Sequence, residues 1–262
     1  MADARTDLTA AVAQVAREAG QMALARWRTD FDRWEKEAGS PVCEVDLDVD
    51  RMLQARLEGL LPDAGWLSEE TVDSPERLTR SRVWVVDPID GTRDYIRGRE
   101  GWAVSIALVE DGRVVLGVLD APARRERWHA TLGAGAWRNG IALRAGDRGM
   151  LAGARVPTDA LPKIDRHLTA VHKPNSIALR MAMVAADEAD LLATLRWGNE
   201  WDIAAATLIA AEAGAGVSDA LGGPLRYNKP DPRAFGVMVT APAIHAEAIA
   251  WIESRARAAL IG

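Results

Sequence analysis

Asp87 and Asp90 stand three residues apart in Val83-Trp84-Val85-Val86-Asp87-Pro88-Ile89-Asp90-Gly91-Thr92, where an apolar run long enough for a buried strand breaks into turn residues. Two carboxylates across a tight bend can share one pocket, and carboxylate oxygens suit a hard divalent cation. Gly91 and Thr92 would then open a helix whose unpaired N–H groups favour an anion. Cation and anion at one corner is the combination that phosphoryl chemistry uses. An ordinary loop has the same local composition, since Asp-Pro and Asp-Gly are common turn dipeptides. The corner therefore needs partners from elsewhere in the chain.

Three segments offer them. Trp66-Leu67-Ser68-Glu69-Glu70-Thr71 lies just ahead of the Asp87 strand and can bring a third carboxylate, although paired glutamates are commonly solvated surface. Asp46-Leu47-Asp48-Val49-Asp50 invites a calcium-loop reading, which fails because Arg51 and Leu57 occupy the positions where an EF-hand needs glycine and glutamate. Val49, Leu53, Leu57 and Leu60 mark a helix there instead, with Asp48 and Asp50 in its first turn and Asp46 at its mouth, available for chemistry. Trp201-Asp202 opens a second helical pattern; Asp202 is an N-cap or first-turn residue by default, and a fourth carboxylate of the pocket if the two halves of the chain meet there. Gly133-Ala134-Gly135 does not continue as a dinucleotide fingerprint, because Arg138 holds its sixth position and a hairpin follows.

The elements that must position these residues follow from periodicity. Leu8, Val12, Val15, Ala19, Met22 and Ala23 make one helical stripe, with Trp27, Phe31 and Trp34 as a wall beyond it and a loop over Lys36–Pro41. Val104–Val109 and Val114–Leu119 read as a hairpin, and Trp128–Leu132 and Ala136–Leu143 extend it, with Asn139-Gly140 as a turn. Later, helices at Ala178–Ala186, Ile203–Ala213 and Ala243–Leu260 alternate with strands at Leu191–Leu195, Gly216–Ser218 and Gly236–Thr240. A break at Arg144–Leu151 suggests an N-terminal α+β domain, 1–148, with antiparallel sheet and most of the metal ligands, and a C-terminal α/β domain, 149–262, contributing Asp202 and substrate contacts.

Composition narrows the function. With 48% hydrophobic and 27% charged residues and a net charge of −6, the 262-residue chain reads as a globular protein with no nucleic-acid polymer as main partner. The single cysteine, Cys43, allows no internal disulfide and fits a reducing cytoplasm. The N-terminus does not read as a signal peptide, and no apolar run approaches the roughly 18 residues that span a bilayer, so no membrane partner is expected.

Ser68-Glu69-Glu70, Asp87-Pro88-Ile89-Asp90-Gly91-Thr92, Gly133-Ala134-Gly135-Ala136 and Trp201-Asp202-Ile203-Ala204-Ala205-Ala206 with Glu212-Ala213-Gly214, taken together, resemble the inositol monophosphatase superfamily. The resemblance spans nearly the whole chain. It implies a layered α/β/α/β/α sandwich and a Mg²⁺-dependent, Li⁺-sensitive phosphomonoesterase, with two or three Mg²⁺ per site. Glu69, Asp87 and the Ile89 carbonyl would hold one ion; Asp87, Asp90 and Asp202 a second; Glu69 and waters a weaker third. Gly91 and Thr92 would offer N–H groups to the phosphate, and the Thr92 hydroxyl, with Asp46 or Glu70, would orient the attacking water. No covalent phosphoenzyme is needed.

Within the superfamily, the Glu69 segment and Gly223-Pro224-Leu225-Arg226-Tyr227-Asn228-Lys229 look like the bacterial 3′(2′),5′-bisphosphate nucleotidases, which act on adenosine 3′,5′-bisphosphate left by sulfate assimilation. An inositol monophosphatase is the alternative, and a non-catalytic metal-binding regulatory protein the alternative of another class. Ser176, Arg180 and Asp202 are candidate substrate contacts, and Lys173 and Arg180 candidate partners of a second phosphate. Cys43 stands where the family has threonine, and Asn175-Ser176-Ile177 replaces a glycine-led segment. The family also implies a homodimer. Asp90→Asn is expected to abolish turnover in a protein that stays folded, as for a ligand lost from a solvated pocket.

Overall fold

The unbroken apolar run at residues 83–86 sets the architecture. The structure, a computed structural model, describes residues 2–37 and 40–261. Helix α1 (Ala2–Arg26) leads to a two-stranded ribbon, β1 (Arg33–Glu37) and β2 (Ser40–Cys43), and then to α2 (Glu44–Leu60). There follow β3 (Gly65–Ser68), β4 (Arg82–Asp90), the short α3 (Thr92–Ile96), β5 (Ala103–Glu110), β6 (Arg113–Ala121), β7 (Glu126–Thr131), β8 (Ala136–Arg138) and β9 (Ile141–Ala142). The remaining chain supplies β10 (Arg155–Pro157), β11 (Thr169–Val171), α4 (Ile177–Ala185), β12 (Leu191–Ala193), β13 (Trp197–Asn199), α5 (Glu200–Glu212), β14 (Gly216–Ser218), β15 (Arg233–Phe235), β16 (Met238–Thr240) and α6 (His245–Ile261).

Strands β3 to β9 form one seven-stranded sheet in sequence order, parallel only between β3 and β4. Trp84 and Val86 of β4 pack with Val104, Ile106 and Leu108 of β5 under α1 and α2, whereas Val83 and Val85 pack with Ala107 and Val109 under α4 and α5. Both faces are covered, which is why β4 is apolar along its length rather than alternating. Beyond α4 and α5 lies a three-stranded sheet, β12-β16-β14, and Leu191 and Met238 on it pack against Ala248 and Ile252 of α6. The order helix, sheet, helix, sheet, helix is the layered α/β/α/β/α sandwich.

Helix α5 is the inner layer, and its sequence reflects this. Ile203 to Ala206 and Leu208 to Ala210 are buried with no polar stripe between them, as expected of a helix with core on all sides. It lies close to β6 because residue 117 is glycine; a Cβ there would come within 2.5 Å of the Ala205 carbonyl oxygen. At the other face, Gly20 of α1 makes room for Asp120, whose Oδ2 would lie 2.0 Å from a Cβ at position 20.

Local expectations differ from the structure in a few places. Lys36–Pro41 is not a loop throughout: Glu35 pairs with Pro41 and Glu37 with Ser40, a ribbon whose edges tolerate proline, while Ala38 and Gly39 lie outside the described residues. Trp27 and Phe31 do build an aromatic wall, with Tyr95 and Trp102, but Trp34 points outward from the ribbon. Met22 is also exposed, leaving Val12, Val15, Ala16, Ala19 and Ala23 as the buried stripe of α1.

Candidate metal and phosphate site

A spacing of three along a regular strand would turn Asp87 and Asp90 to opposite faces. The ladder between β4 and β5 is irregular between these residues, where Pro88 and Ile89 break the register. The irregularity restores the parity, and both aspartates line one recess of about 210 Å³. Asp87 Oδ1 accepts the Ile89 N–H at 3.0 Å, which fixes the bend. Gly91 follows at φ +97°, and a Cβ on it would meet the Gly101 carbonyl oxygen at 2.6 Å and the Ser176 nitrogen at 2.8 Å, so glycine is required twice over. Helix α3 is then tied down by Tyr95, whose hydroxyl donates to the Ala23 carbonyl at 2.8 Å.

The other carboxylates come from both sides of the sheet centre. Glu69 follows β3, the parallel neighbour of β4, and donates its N–H to the Val86 carbonyl. Asp202 is the third residue of α5, where its Oδ2 accepts the Asn199 N–H at 2.8 Å. It is thus a first-turn cap and a wall of the recess at once. Glu69, Asp87 and Asp202 each bring a carboxylate oxygen within 4.8 Å of the others. Asp90 lines the same recess but turns its carboxylate to the N-terminus of α4, accepting from Ser176 Oγ at 2.5 Å, Ala178 N at 2.8 Å and Ile177 N at 3.3 Å. Asp90 is buried, so the expectation of a ligand in a solvated pocket is corrected: it belongs also to the packing of α4 on the sheet.

Electrostatics follow from this crowding. Burial foremost, then the charges of Glu69, Asp90, Asp202 and Asp46, hold the Asp87 carboxyl well above its ordinary range. Asp202 is pushed up to about 7 by burial and then by Asp90. Burial raises Asp90 too, against the hydrogen bonds from Ser176 and Ala178 and the nearby Arg180. Clustered, desolvated carboxylates that repel one another fit a divalent cation, which would relieve that repulsion.

Behind this wall stands a hydroxyl. Thr92 Oγ1 lies 2.9 Å from the Ile89 carbonyl oxygen and 3.2 Å from Asp46 Oδ1. Asp46 is buried, and its Oδ2 accepts both the N–H and the Sγ–H of Cys43 at 2.8 Å. Cys43 thus does at the N-cap of α2 what a hydroxyl residue would do, and burial, with Asp46 beside it, pushes its thiol far up. Ser176 is fully buried, its hydroxyl engaged by Asp90. Arg180 lines the recess with its guanidinium donating to the Ser176 and Asn175 carbonyls, and Arg93, Asn175 and Arg196 complete the cationic and polar side. Glu70 is half-buried beside Glu69, outside that lining.

Two contributions were not read from the sequence. Asp50, assigned to the first turn of a helix, is a buried anchor instead: its Oδ1 accepts Ser68 Oγ at 2.5 Å and its Oδ2 accepts Thr71 Oγ1 at 2.7 Å, gripping both ends of the Glu69-Glu70 segment. Buried Val49 and Leu53 flanking it are the signal that could have placed it inward. Arg196 sits alone in a loop and carries no periodicity or motif.

A profile described as the inositol monophosphatase family matches residues 4–257. The chain belongs to the inositol monophosphatase family. Members of this family are metal-dependent phosphomonoesterases, and the chain is such an enzyme. Among its relatives, the 3′(2′),5′-bisphosphate nucleotidase CysQ of Escherichia coli K12 is 34% identical over 227 residues, covering 82% of this chain and 92% of the relative. The fructose-1,6-bisphosphatase/inositol-1-monophosphatase of Thermotoga maritima is 32% identical over 213 residues, covering 78% and 81%. In solved structures the same architecture appears in Thermotoga maritima IMPase, with a TM-score of 0.82, 28% identity and coverage of 95% of this chain and 97% of that one.

Proposed function

We propose that the chain is a Mg²⁺-dependent 3′(2′),5′-bisphosphate nucleotidase that removes one phosphate from adenosine 3′,5′-bisphosphate. The observation that carries the hydrolytic chemistry is the recess itself, in which Glu69, Asp87 and Asp202 converge opposite Arg93, Arg180 and Arg196. The choice of nucleotide is supported by the 34% identity to the Escherichia coli relative. Glu69, Asp87 and the Ile89 carbonyl, and Asp87, Asp90 and Asp202, are the residues that would hold two Mg²⁺, with a third at Glu69. When bound, Mg²⁺ supplies Lewis-acid polarisation of the phosphoryl oxygens and makes a water more acidic.

The chain's own residues do the rest. Thr92 Oγ1 has one proton to donate and two oxygens within reach; when it donates to Asp46 Oδ1, its lone pair faces outward and can accept a proton from the attacking water. Two Cys43 donors hold Asp46 in place for this relay, and Glu70 remains the second candidate for orienting the water. The N–H groups of Gly91 and Thr92 would bind the phosphate at the start of α3, and Arg180 would balance its charge. Ser176 acts on the substrate through Asp90.

Fructose 1,6-bisphosphate and inositol 1-phosphate form the second reading, favoured by the Thermotoga maritima relative. Phosphate release from these three compounds at equal concentration with Mg²⁺ decides between them; the nucleotide is expected to be cleaved with the highest kcat/KM, and release from none of them would refute the hydrolytic assignment. The reading carries with it inhibition by Li⁺, a cytoplasmic location, a homodimer, and domains 1–148 and 149–262 meeting at the recess. Sedimentation of the purified protein tests the dimer.

A further inference from the structure

Between Val72 and Arg80 the usual order of burial is inverted: Arg77 alone is buried, its side chain 1% exposed, while Val72 and Leu78 face solvent. A buried guanidinium is costly unless its donors are met. Here they are met on two sides. Nε and Nη2 donate to the two carboxylate oxygens of Asp73 at 2.6 and 2.8 Å, and Nη1 donates to Asn228 Oδ1 at 2.7 Å, while Nη2 also reaches the Lys229 carbonyl at 3.0 Å. Asp73 belongs to the same turn; Asn228 and Lys229 lie in the loop between β14 and β15, far along the chain.

That loop hands the contact on. The N–H groups of Asn228 and Lys229 donate to Glu200 Oε2 at 2.6 Å and Oε1 at 3.2 Å, and the Lys229 ammonium stands 3.4 Å from Oε1. Glu200 is fully buried and is the first residue of α5, in the same turn as Asp202; its own N–H donates to the Pro232 carbonyl at 2.8 Å. At the other end Arg77 is seated on β3, the strand that delivers Glu69, where a Cβ on Gly65 would come within 3.0 Å of Arg77 Cα. Asn228 takes φ +57°, in the left-handed region, and from there joins both partners, its side chain with Arg77 and its N–H with Glu200.

We propose that Arg77, Asn228 and Glu200 form a buried polar brace that positions the metal carboxylates, fixing the start of α5, and with it Asp202, against the end of β3 that carries Glu69. Apolar side chains in these places would pack without electrostatic cost, and a buried ionic chain adds little net stability over them. What the chain adds is direction, since its hydrogen bonds are all met in one relative placement of the two segments. None of the three residues lines the recess, so they act through Asp202 and Glu69. The inference rests on the reading of the recess as a divalent-cation site.

Occupancy by Mn²⁺ alone, counted without substrate from the electron paramagnetic resonance signal of the free ion, reads positioning apart from turnover. Asn228→Gly keeps the left-handed backbone and the N–H bond to Glu200 and deletes only the amide that meets Arg77; Arg77→Met removes the guanidinium; Asn228→Asp gives the guanidinium an acceptor again. Half-occupancy is expected to need about three- to tenfold more Mn²⁺ in Asn228→Gly and Arg77→Met than in wild type, less than the roughly 10- to 100-fold of a support bonded directly to a ligand. Asn228→Asp is expected to bind Mn²⁺ nearly as wild type does. Melting temperatures in EDTA report stability separately: a lower value with Mn²⁺ affinity unchanged in Asn228→Gly leaves the three residues holding the fold alone and overturns the brace, whether or not Arg77→Met folds. Equal loss of affinity in Asn228→Asp and Asn228→Gly overturns it as well. No binding of Mn²⁺ by wild type refutes the cation site itself, and the brace with it.

Discussion

The carboxylate recess and the larger concavity next to it, of about 790 Å³, are built on opposite plans. In the recess four carboxylates, which share it with Arg93, Arg180 and Arg196, are largely withdrawn from solvent and held in place: Asp87 by its own bend, Asp90 by the start of α4, Asp202 by the start of α5 and Glu69 through Asp50. In the basin beside it cations outnumber carboxylates six to three, and Arg28, Arg93, Arg97 and Arg99 among them are exposed. Chemistry that must fix a cation to fractions of an ångström needs the first plan, because each carboxylate left unsupported would swing to solvent. Attraction of anions at a distance tolerates the second, since guanidinium and ammonium groups on long stems can adapt.

Substitutions within the recess probe this difference most strongly. Asp87→Asn removes the carboxylate shared by both proposed ions and is expected to lower kcat by about 10³-fold or more, the several kcal/mol that metal ligation supplies. The same change relieves repulsion, so in EDTA its melting temperature should equal or exceed that of wild type. Asp90→Asn should be equally inactive but less stable, by about 1–3 kcal/mol, because both carboxylate oxygens accept: with the amide oxygen towards Ser176 and Ala178, its NH₂ would face the Ile177 N–H. Denaturant unfolding of the two variants side by side separates ligand from ligand-and-cap; equal stabilities would erase the distinction.

A smaller effect is expected one layer back. Asp50→Ala frees Ser68 and Thr71 and should reduce kcat by about 10- to 100-fold while raising the Mg²⁺ concentration needed for half-maximal activity, the usual signature of a lost ligand support. Full activity at ordinary Mg²⁺ would show that Glu69 holds its place without help.

The pH dependence of the metal-free protein gives the mildest test. Asp87 and Asp202 have folded-state values raised above the usual carboxylate range, with Asp202 near 7. The unfolded chain releases these protons first, so stability in EDTA should fall as pH rises from about 4 through 7. Mg²⁺ should flatten or reverse that slope. Melting temperatures across this range, with and without Mg²⁺, check it, and parallel curves would argue against a cation among these carboxylates.

The same contrast explains what the chain disclosed on reading. Asp87, Asp90 and their strand are contiguous, and a buried strand ending in turn residues is a local pattern; Glu69 and Asp202 joined it through motifs that resemble a known family. The individual helices and strands were legible because their periodicities report burial directly, as in the stripe of α1 and the unbroken run of β4, whereas their layered order came only with the family resemblance. Asp50 was misread because acidic residues near a helix start have a sufficient local explanation, and only the tertiary approach of Ser68 and Thr71 reveals the second. Arg97 and Arg196 left no trace, since loops from distant parts of the chain meet without any shared period or spacing.

Gly117 lies on the sheet away from either concavity, yet it determines how near Ala205, three residues beyond Asp202, can come to β6. Asp202 is carried on that helix, so the span between it and Asp87 is gauged by the thickness of the joint between helix and strand. A single methyl group at position 117 would act as a shim. Machining tolerance, more than the identity of any reactive group, would then decide whether the carboxylates still close on one ion.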